Sequence, residues 1–141
     1  MVGAKVLDLF AGTGALGIEA LSRGAASATF VDRDPEALRV VRANLETTGV
    51  GPARVVRADA GSFLQAGEPY DLALCDPPYD FAGWPELLGR LDASVVAVES
   101  DHEVAAPDGW RVLRSRRHGG TVVVLFAKAA AGGDSPSPLE R

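Results

Sequence analysis

Val6-Leu7-Asp8-Leu9-Phe10-Ala11-Gly12-Thr13-Gly14-Ala15-Leu16-Gly17 is the stretch that decides the fold. An apolar, β-prone run breaks at glycines and passes directly into a helical pattern, with Leu16, Ala20 and Leu21 on one face and Gly24 as the stop. The reading is a strand over Ala4 to Phe10, a glycine turn, and a helix over Ala15 to Arg23. The same alternation continues outward. Ala28 to Asp32 is a second strand, and Asp34-Pro35 gives an N-cap followed by proline in the first helical turn. Leu38, Val41 and Leu45 mark the buried stripe of that helix, and Gly49 ends it. Ala53 to Ala58, Leu72 to Cys75 and Ser94 to Glu99 read as three further strands, with short helices over Gly61 to Gln65 and Glu86 to Leu91. Trp110 to Arg116 and Thr121 to Lys128 are then joined through His118-Gly119-Gly120 with no room for a helix, so they must pair antiparallel. The expected fold is α/β: a doubly wound, Rossmann-like, mostly parallel sheet closed by a C-terminal antiparallel hairpin.

The chain has 141 residues, 47% apolar and 23% charged, which suits one globular domain and excludes disorder, a disulfide scaffold and a collagen-like repeat. The domain is expected over residues 1–128, with the Ala-, Gly-, Ser- and Pro-rich segment 129–141 as a disordered tail. One cysteine, Cys75, leaves no disulfide within the chain and no Cys-rich zinc site. No apolar run approaches the ~18 residues of a membrane span and no signal-like segment follows Met1, so a cytoplasmic protein is expected. Fourteen basic against 19 acidic residues give a net charge of −5, which argues against wholesale electrostatic binding of nucleic acid but leaves room for a local basic patch.

In a doubly wound sheet the ligand lies at the carboxyl ends of the strands where their order reverses. Gly12-Thr13-Gly14-Ala15-Leu16-Gly17 is a literal G-x-G-x-x-G, and Asp32 ends the second strand about twenty residues on, which satisfies the dinucleotide fingerprint. Asp8 points to another ligand. A carboxylate just ahead of the loop repels phosphate and favours a sulfonium or α-ammonium group, both carried by S-adenosylmethionine. Asp32 could then accept the ribose hydroxyls, and Asp59, closing the third strand, the adenine amino group. The competing reading is that Asp8 caps the loop backbone and the other two acids are solvated strand ends.

Asp76-Pro77-Pro78-Tyr79 follows the fourth strand directly, facing the glycine loop across the crevice. The two prolines fix φ and remove two backbone donors, leaving carbonyls free for a substrate. An exocyclic amine on a nucleobase is a poor nucleophile, its lone pair being delocalised into the ring. Hydrogen bonds from its N–H groups to the Asp76 carboxylate and the Pro77 carbonyl would draw it out of conjugation. Tyr79, helped by Phe81 or Trp84, would stack on the extruded base.

With these residues in place, the chain resembles a known family. Val6 to Gly17, Glu19 to Ala25, Asn44-Leu45, Ser62-Phe63-Leu64, Asp76 to Tyr79 and Val98-Glu99-Ser100 occur in the order seen in RsmD-type enzymes, bacterial methyltransferases of guanine N2 in 16S ribosomal RNA. The resemblance spans about Val6 to Lys128. It implies a class I methyltransferase sheet with S-adenosylmethionine as cofactor and no metal. The cofactor residues would be Asp8, Phe10, Ala11, Gly12, Thr13, Gly14, Asp32, Arg33, Asp59, Ala60 and Asp76. The catalytic segment would be Asp76, Pro77, Pro78 and Tyr79. It further implies 16S rRNA or an assembling small ribosomal subunit as partner and a monomer in the cytoplasm. The family usually carries a basic segment with an Arg-Pro-Thr stretch before the first strand. Here Met1-Val2-Gly3 stands almost at the strand, so the expectation is a fragment or wrongly started gene product, or a shortened form with reduced or lost activity.

The remaining polar features carry two readings each. Arg111, Arg114, Arg116, Arg117 and His118 are an RNA-phosphate contact or a charged edge hairpin. Glu19 touches the cofactor's amino-acid end or is solvated. His102 has no partner at ligand spacing and reads as a loop residue. Cys75 reads as core, and Trp110 as packed beneath the hairpin. Rival functions are a DNA adenine-N6 or cytosine-N4 methyltransferase, a protein-glutamine methyltransferase, a non-catalytic cofactor-binding module and an NAD-dependent reductase. The first normally has a target-recognition insertion that does not fit this length, and the second typically has Asn where Asp76 stands.

Overall fold

The structure is a computed structural model that describes residues 2–77 and 83–129. Its elements in chain order are β1 (Lys5–Asp8), α1 (Ala15–Ser22), β2 (Ser27–Asp32), α2 (Pro35–Thr48), β3 (Ala53–Arg57), α3 (Ala60–Leu64), β4 (Tyr70–Cys75), α4 (Trp84–Arg90), β5 (Ala93–Ser100), β6 (Trp110–His118) and β7 (Thr121–Lys128). They form one seven-stranded sheet in the order β3-β2-β1-β4-β5-β7-β6. Strands β1 to β5 are mutually parallel. Strand β7 enters antiparallel between β5 and β6. The sequence expectation of a doubly wound sheet closed by a hairpin holds. The order reverses between β1 and β4, which places the crevice there.

Alternation along the strands splits the core in two. Val6, Ala28 and Phe30 pack with Ala20 and Leu21 of α1 and Val41 of α2 on one face. Leu7, Ala73, Cys75, Val96, Val98 and Phe126 pack with Leu87 and Leu88 of α4 on the other. The fully buried valine, leucine and phenylalanine side chains among these each contribute roughly 1.5–3 kcal/mol. Helix α2 starts where the Asp34 carboxylate accepts the Glu36 amide at 3.0 Å, and ends at Gly49, whose positive φ of 68° lets its amide return to the Leu45 carbonyl.

The boundaries differ from the sequence reading by a residue or two, and one difference is informative. Strand β1 stops at Asp8 instead of running to Phe10. Phe10 takes φ of 135°, a left-handed value strained for a side chain with a Cβ, and the Phe10 and Ala11 amides both turn to the Val31 carbonyl. The chain therefore leaves the sheet two residues early and opens the loop towards the crevice. At the far edge β6 runs on to His118, so the hairpin turn is Gly119-Gly120 alone, with Gly119 at φ of 60°. The Ala129 amide still bonds the Gly109 carbonyl at 2.7 Å. The rest of the expected tail lies outside the described residues.

Candidate active site

Asp8 ends β1 and is 1% exposed. Its Oδ2 accepts the Gly17 amide of α1 at 3.0 Å. Burial pushes its carboxyl up to about 7; the Gly17 hydrogen bond opposes that rise, and the neighbouring Asp76 and Asp32 carboxylates add to it. Gly17 is needed for space: a Cβ there would stand 2.8 Å from Phe30 Cζ and 3.1 Å from the Asp8 carboxylate. The backbone-capping reading of Asp8 is thus correct as far as its contact goes, and its buried carboxyl, only partly ionised at neutral pH, lies beneath the crevice.

Asp32 ties two loops together. Its Oδ2 accepts the Gly12 amide at 3.0 Å and its Oδ1 the Asp34 amide at 2.9 Å. Gly12 and Gly14 both have positive φ, 56° and 81°. A Cβ at Gly14 would press on Val41 at 3.2 Å, whereas one at Gly12 would meet nothing within 4 Å. One glycine serves packing on α2; the other leaves open space beside the loop. Thr13 is held from behind, its carbonyl accepting Asn44 Nδ2 at 2.9 Å. Arg33 is exposed on the loop after β2.

Asp59 does not close β3, which ends at Arg57; it is the N-cap of α3 and accepts the Ser62 amide at 3.3 Å. The change matters because the cap puts the carboxylate beside a cavity of about 180 Å³ lined by Phe10, Asp59, Ala60, Gly61, Gly83, Glu86, Leu87 and Arg90. Phe10, Asp59 and Ala60 are candidates from the sequence. Glu86, Leu87 and Arg90 of α4 are not, because only the folding of α4 against α3 brings them there.

Asp76 follows the last residue of β4 and is exposed at the crevice mouth, with partial desolvation raising its carboxyl. Pro77 is half-buried beside it. Pro78, Tyr79 and Phe81 lie outside the described residues. Trp84 is not available for base stacking: it is 6% exposed and belongs to the core under α4.

Sequence reasoning missed Glu99. Parallel register pairs Asp8 with Leu74 and Cys75 with Val98, so the residues one step on, Asp76 and Glu99, are neighbours. Glu99 is two residues beyond Ala97, which pairs with Leu74, so Asp8, Leu74, Ala97 and Glu99 share one face. Desolvation and the charge of Asp76 raise the Glu99 carboxyl. A row of carboxylates, Asp8, Asp76 and Glu99, therefore crosses three adjacent strand ends. The signal was the Val98-Glu99-Ser100 segment at the end of β5, but its pairing with Asp76 is a matter of sheet order.

The secondary candidates resolve simply. Glu19 pairs with Arg23 at 2.7 Å on the surface of α1. His102 Nδ1 meets Asp101 at 2.7 Å, and no metal-binding group of His, Cys, Asp or Glu occurs among the described residues. Cys75 is 1% exposed and burial pushes its thiol up, so it is core. Trp110 is buried and its Nε1 donates to the Leu88 carbonyl at 3.0 Å, fastening β6 to α4. No helix among the described residues is long and apolar enough to cross a membrane.

Comparison with known proteins gives a consistent result. The family described as Conserved hypothetical protein 95 matches residues 1–127. Ribosomal RNA small subunit methyltransferase D of Escherichia coli K12 is 37% identical over 143 residues, covering 94% of this chain and 72% of that protein. The protein of the same name from Haemophilus influenzae is 30% identical, covering 82% and 67%. The solved structure of yhhF from Escherichia coli superposes with a TM-score of 0.81 at 36% identity, covering 92% of this chain and 78% of that one.

Proposed function

The chain belongs to the Conserved hypothetical protein 95 family, and from that premise we propose that it is an S-adenosylmethionine-dependent methyltransferase acting on the exocyclic N2 of a guanine in 16S rRNA. Similarity to the small-subunit methyltransferase D proteins supports the substrate class. The single observation that carries the chemistry is the adjacency of Asp8 and Asp76 across the β1–β4 switch point of the sheet, with Gly12, and the open space at it, held by Asp32 at the end of the neighbouring β2.

The residues suit this cofactor. A crevice whose buried carboxyl feels two further carboxylates has an unmet demand for positive charge, and a pyrophosphate would worsen it. That argues against the NAD reading despite the literal glycine fingerprint. In the proposed arrangement Gly12, Thr13 and Gly14, with Phe10 and Ala11 ahead of them, wrap the cofactor. Asp32 and Arg33 would hold the ribose, and Asp59 and Ala60, which line the cavity beside α4, would receive the adenine. When bound, the cofactor supplies an electrophilic sulfonium methyl.

The protein's part is to present the amine. Asp76 accepts one N–H hydrogen bond and the Pro77 carbonyl another, turning the nitrogen lone pair out of the base plane. Asp76 also stands ready to take the proton that the amine sheds after transfer. Pro78 and Tyr79 complete the segment in this proposal, Tyr79 as the stacking surface. Positioning supplies most of the rate, since no strong base is needed. The working partner is 16S rRNA or the assembling small subunit, with the chain acting as a monomer in the cytoplasm.

The test is transfer of labelled methyl to undermethylated small ribosomal subunits, with Asp76→Ala as control. Label on guanine N2 that disappears in the control is the expected result. Cofactor binding without any transfer by the chain or by a version extended upstream would overturn the proposal in favour of a non-catalytic binding module.

A further inference from the structure

The arginine-rich strand β6 lies at the edge of the sheet, and its two faces are not equivalent. Because β7 is antiparallel to both neighbours, β6 runs in the same direction as β5. Its last residues therefore reach the end of the sheet that holds the carboxylate row, while Arg111 stays near the opposite end. Arg116 pairs with Val123, and Val123 with Glu99; Arg114 pairs with Leu125, and Leu125 with Ala97. Directly paired residues share a face, so Arg114 and Arg116 are on the face of Glu99, and His118, two residues further, is as well. Arg117 pairs with the buried Val122 and is on the other face.

Strands are spaced ~4.8 Å apart, so Arg116 stands two steps, about 10 Å, from the Glu99 strand and three, about 14 Å, from that of Asp76. The arginines on β6 from Arg114 onward are exposed, and Arg114, Arg116 and Arg117 make no side-chain ion pair or hydrogen bond among the described residues. A strip of unneutralised guanidinium groups on a chain of net charge −5, level with the reaction centre and on its face, is more than edge protection, which either face would serve equally.

We propose that Arg114 and Arg116, with His118 at the hairpin tip, form the surface that holds the phosphate backbone of the RNA strand beside the target base. This rests on the reading of the chain as an rRNA methyltransferase. The charges sort the substrate. The carboxylate row repels phosphate and receives the amine edge of the base, while the guanidinium forks take phosphate oxygens. The 14 Å separation is spanned by roughly four nucleotides of stacked strand at ~3.4 Å each.

The test compares wild type, Arg114→Gln/Arg116→Gln and Arg117→Gln, using undermethylated small subunits for turnover and a 16S rRNA fragment for binding at several salt concentrations. The double variant is expected to raise KM for RNA tenfold or more, leaving kcat and S-adenosylhomocysteine affinity unchanged. Its plot of log K against log salt should be shallower by about 1.4, the loss of two single-strand phosphate contacts. Arg117→Gln should shift KM less than twofold. Unchanged KM and salt slope in the double variant overturn the surface, as does an equal loss per charge in Arg117→Gln, which would mean a diffuse field. Wild type that binds RNA through these arginines yet methylates nothing would overturn the proposed activity and leave the surface standing.

Discussion

The carboxylate of Asp8 and the amide of Gly17 are joined across the β1–α1 turn by a 3.0 Å hydrogen bond, inside a core that excludes water from both. This one bond sets the height of α1 over the sheet and places a costly charge beneath the crevice. Its energetics give two predictions.

Replacing Asp8 by Asn stabilises the cofactor-free protein at neutral pH. The folded-state carboxyl titrates at about 7 against an ordinary value of 3.8, so the native state holds a proton that the unfolded chain releases first. Stability from this group is fully present below about 3.8, falls as pH rises, and is lost by about 7. The asparagine variant lacks that slope and still offers an oxygen to Gly17. Thermal unfolding at pH 4 and pH 8 should show its advantage growing with pH, towards an upper value on the order of 4 kcal/mol. Its S-adenosylmethionine affinity should fall, which titration calorimetry would measure. An advantage that does not grow with pH would remove Asp8 as a buried ionising group.

Gly17→Ala is expected to destabilise the fold. The new methyl meets the Phe30 ring and crowds the Asp8 carboxylate, and relief requires α1 to lift. Overpacking of this kind costs about 1–3 kcal/mol, to be read from the midpoint of urea unfolding. Gly12→Ala has open space instead and pays only for its positive φ, so it should unfold closer to wild type while binding the cofactor worse.

Asp76→Asn separates hydrogen bonding from proton acceptance. An amide oxygen still accepts an N–H bond but holds no negative charge beside the amine. Turnover should fall by about a hundredfold or more, and further in Asp76→Ala, with KM for RNA moving much less than kcat. Single-turnover methyl transfer would measure this. Equal effects on KM and kcat would assign Asp76 to uniform binding.

At the opposite end of the sheet, Glu68 joins Lys5 at 2.9 Å, Arg54 at 2.6 Å and the Tyr70 hydroxyl at 2.9 Å. The hydrogen bonds from Lys5 and Arg54 hold its carboxyl down at about 2. A lowered acid stabilises above its unfolded value of 4.5 and loses that contribution as pH falls towards 2. Glu68→Gln should therefore unfold more easily than wild type at pH 7, with most of that difference gone by pH 2, in thermal melts across that range. A difference that persists undiminished at pH 2 would mean that packing, and not charge, is at stake.

Much of this was legible in the chain. The alternation of short apolar runs with helical stripes, punctuated by Gly24, Asp34-Pro35 and Gly49, determines a doubly wound sheet, because local propensity, caps and periodicity all agree there. The glycine loop, Asp32 and Asp76 were also readable as strand-end positions, since a break in the apolar pattern marks each, whereas Asp8 was read inside a strand that in the structure stops two residues before the pattern does. Trp84 was misread because an aromatic next to a loop gives no local sign of which way it faces.

What the tertiary structure decided is whatever depends on strand order and face. Asp59, the local cap of α3, came to stand at a cavity only once α3 and α4 met, and Arg90 and Glu86 joined it there. Glu99 lies beside Asp76 only because β5 is the neighbour of β4, and Arg116 shares their face only because an inserted antiparallel β7 returns β6 to the same direction. A sequence records which residues are apolar and where turns occur at short range. It carries no local term for the lateral pairing of strands far apart in the chain, and that pairing is what assembles the carboxylate row and the arginine strip on a single surface.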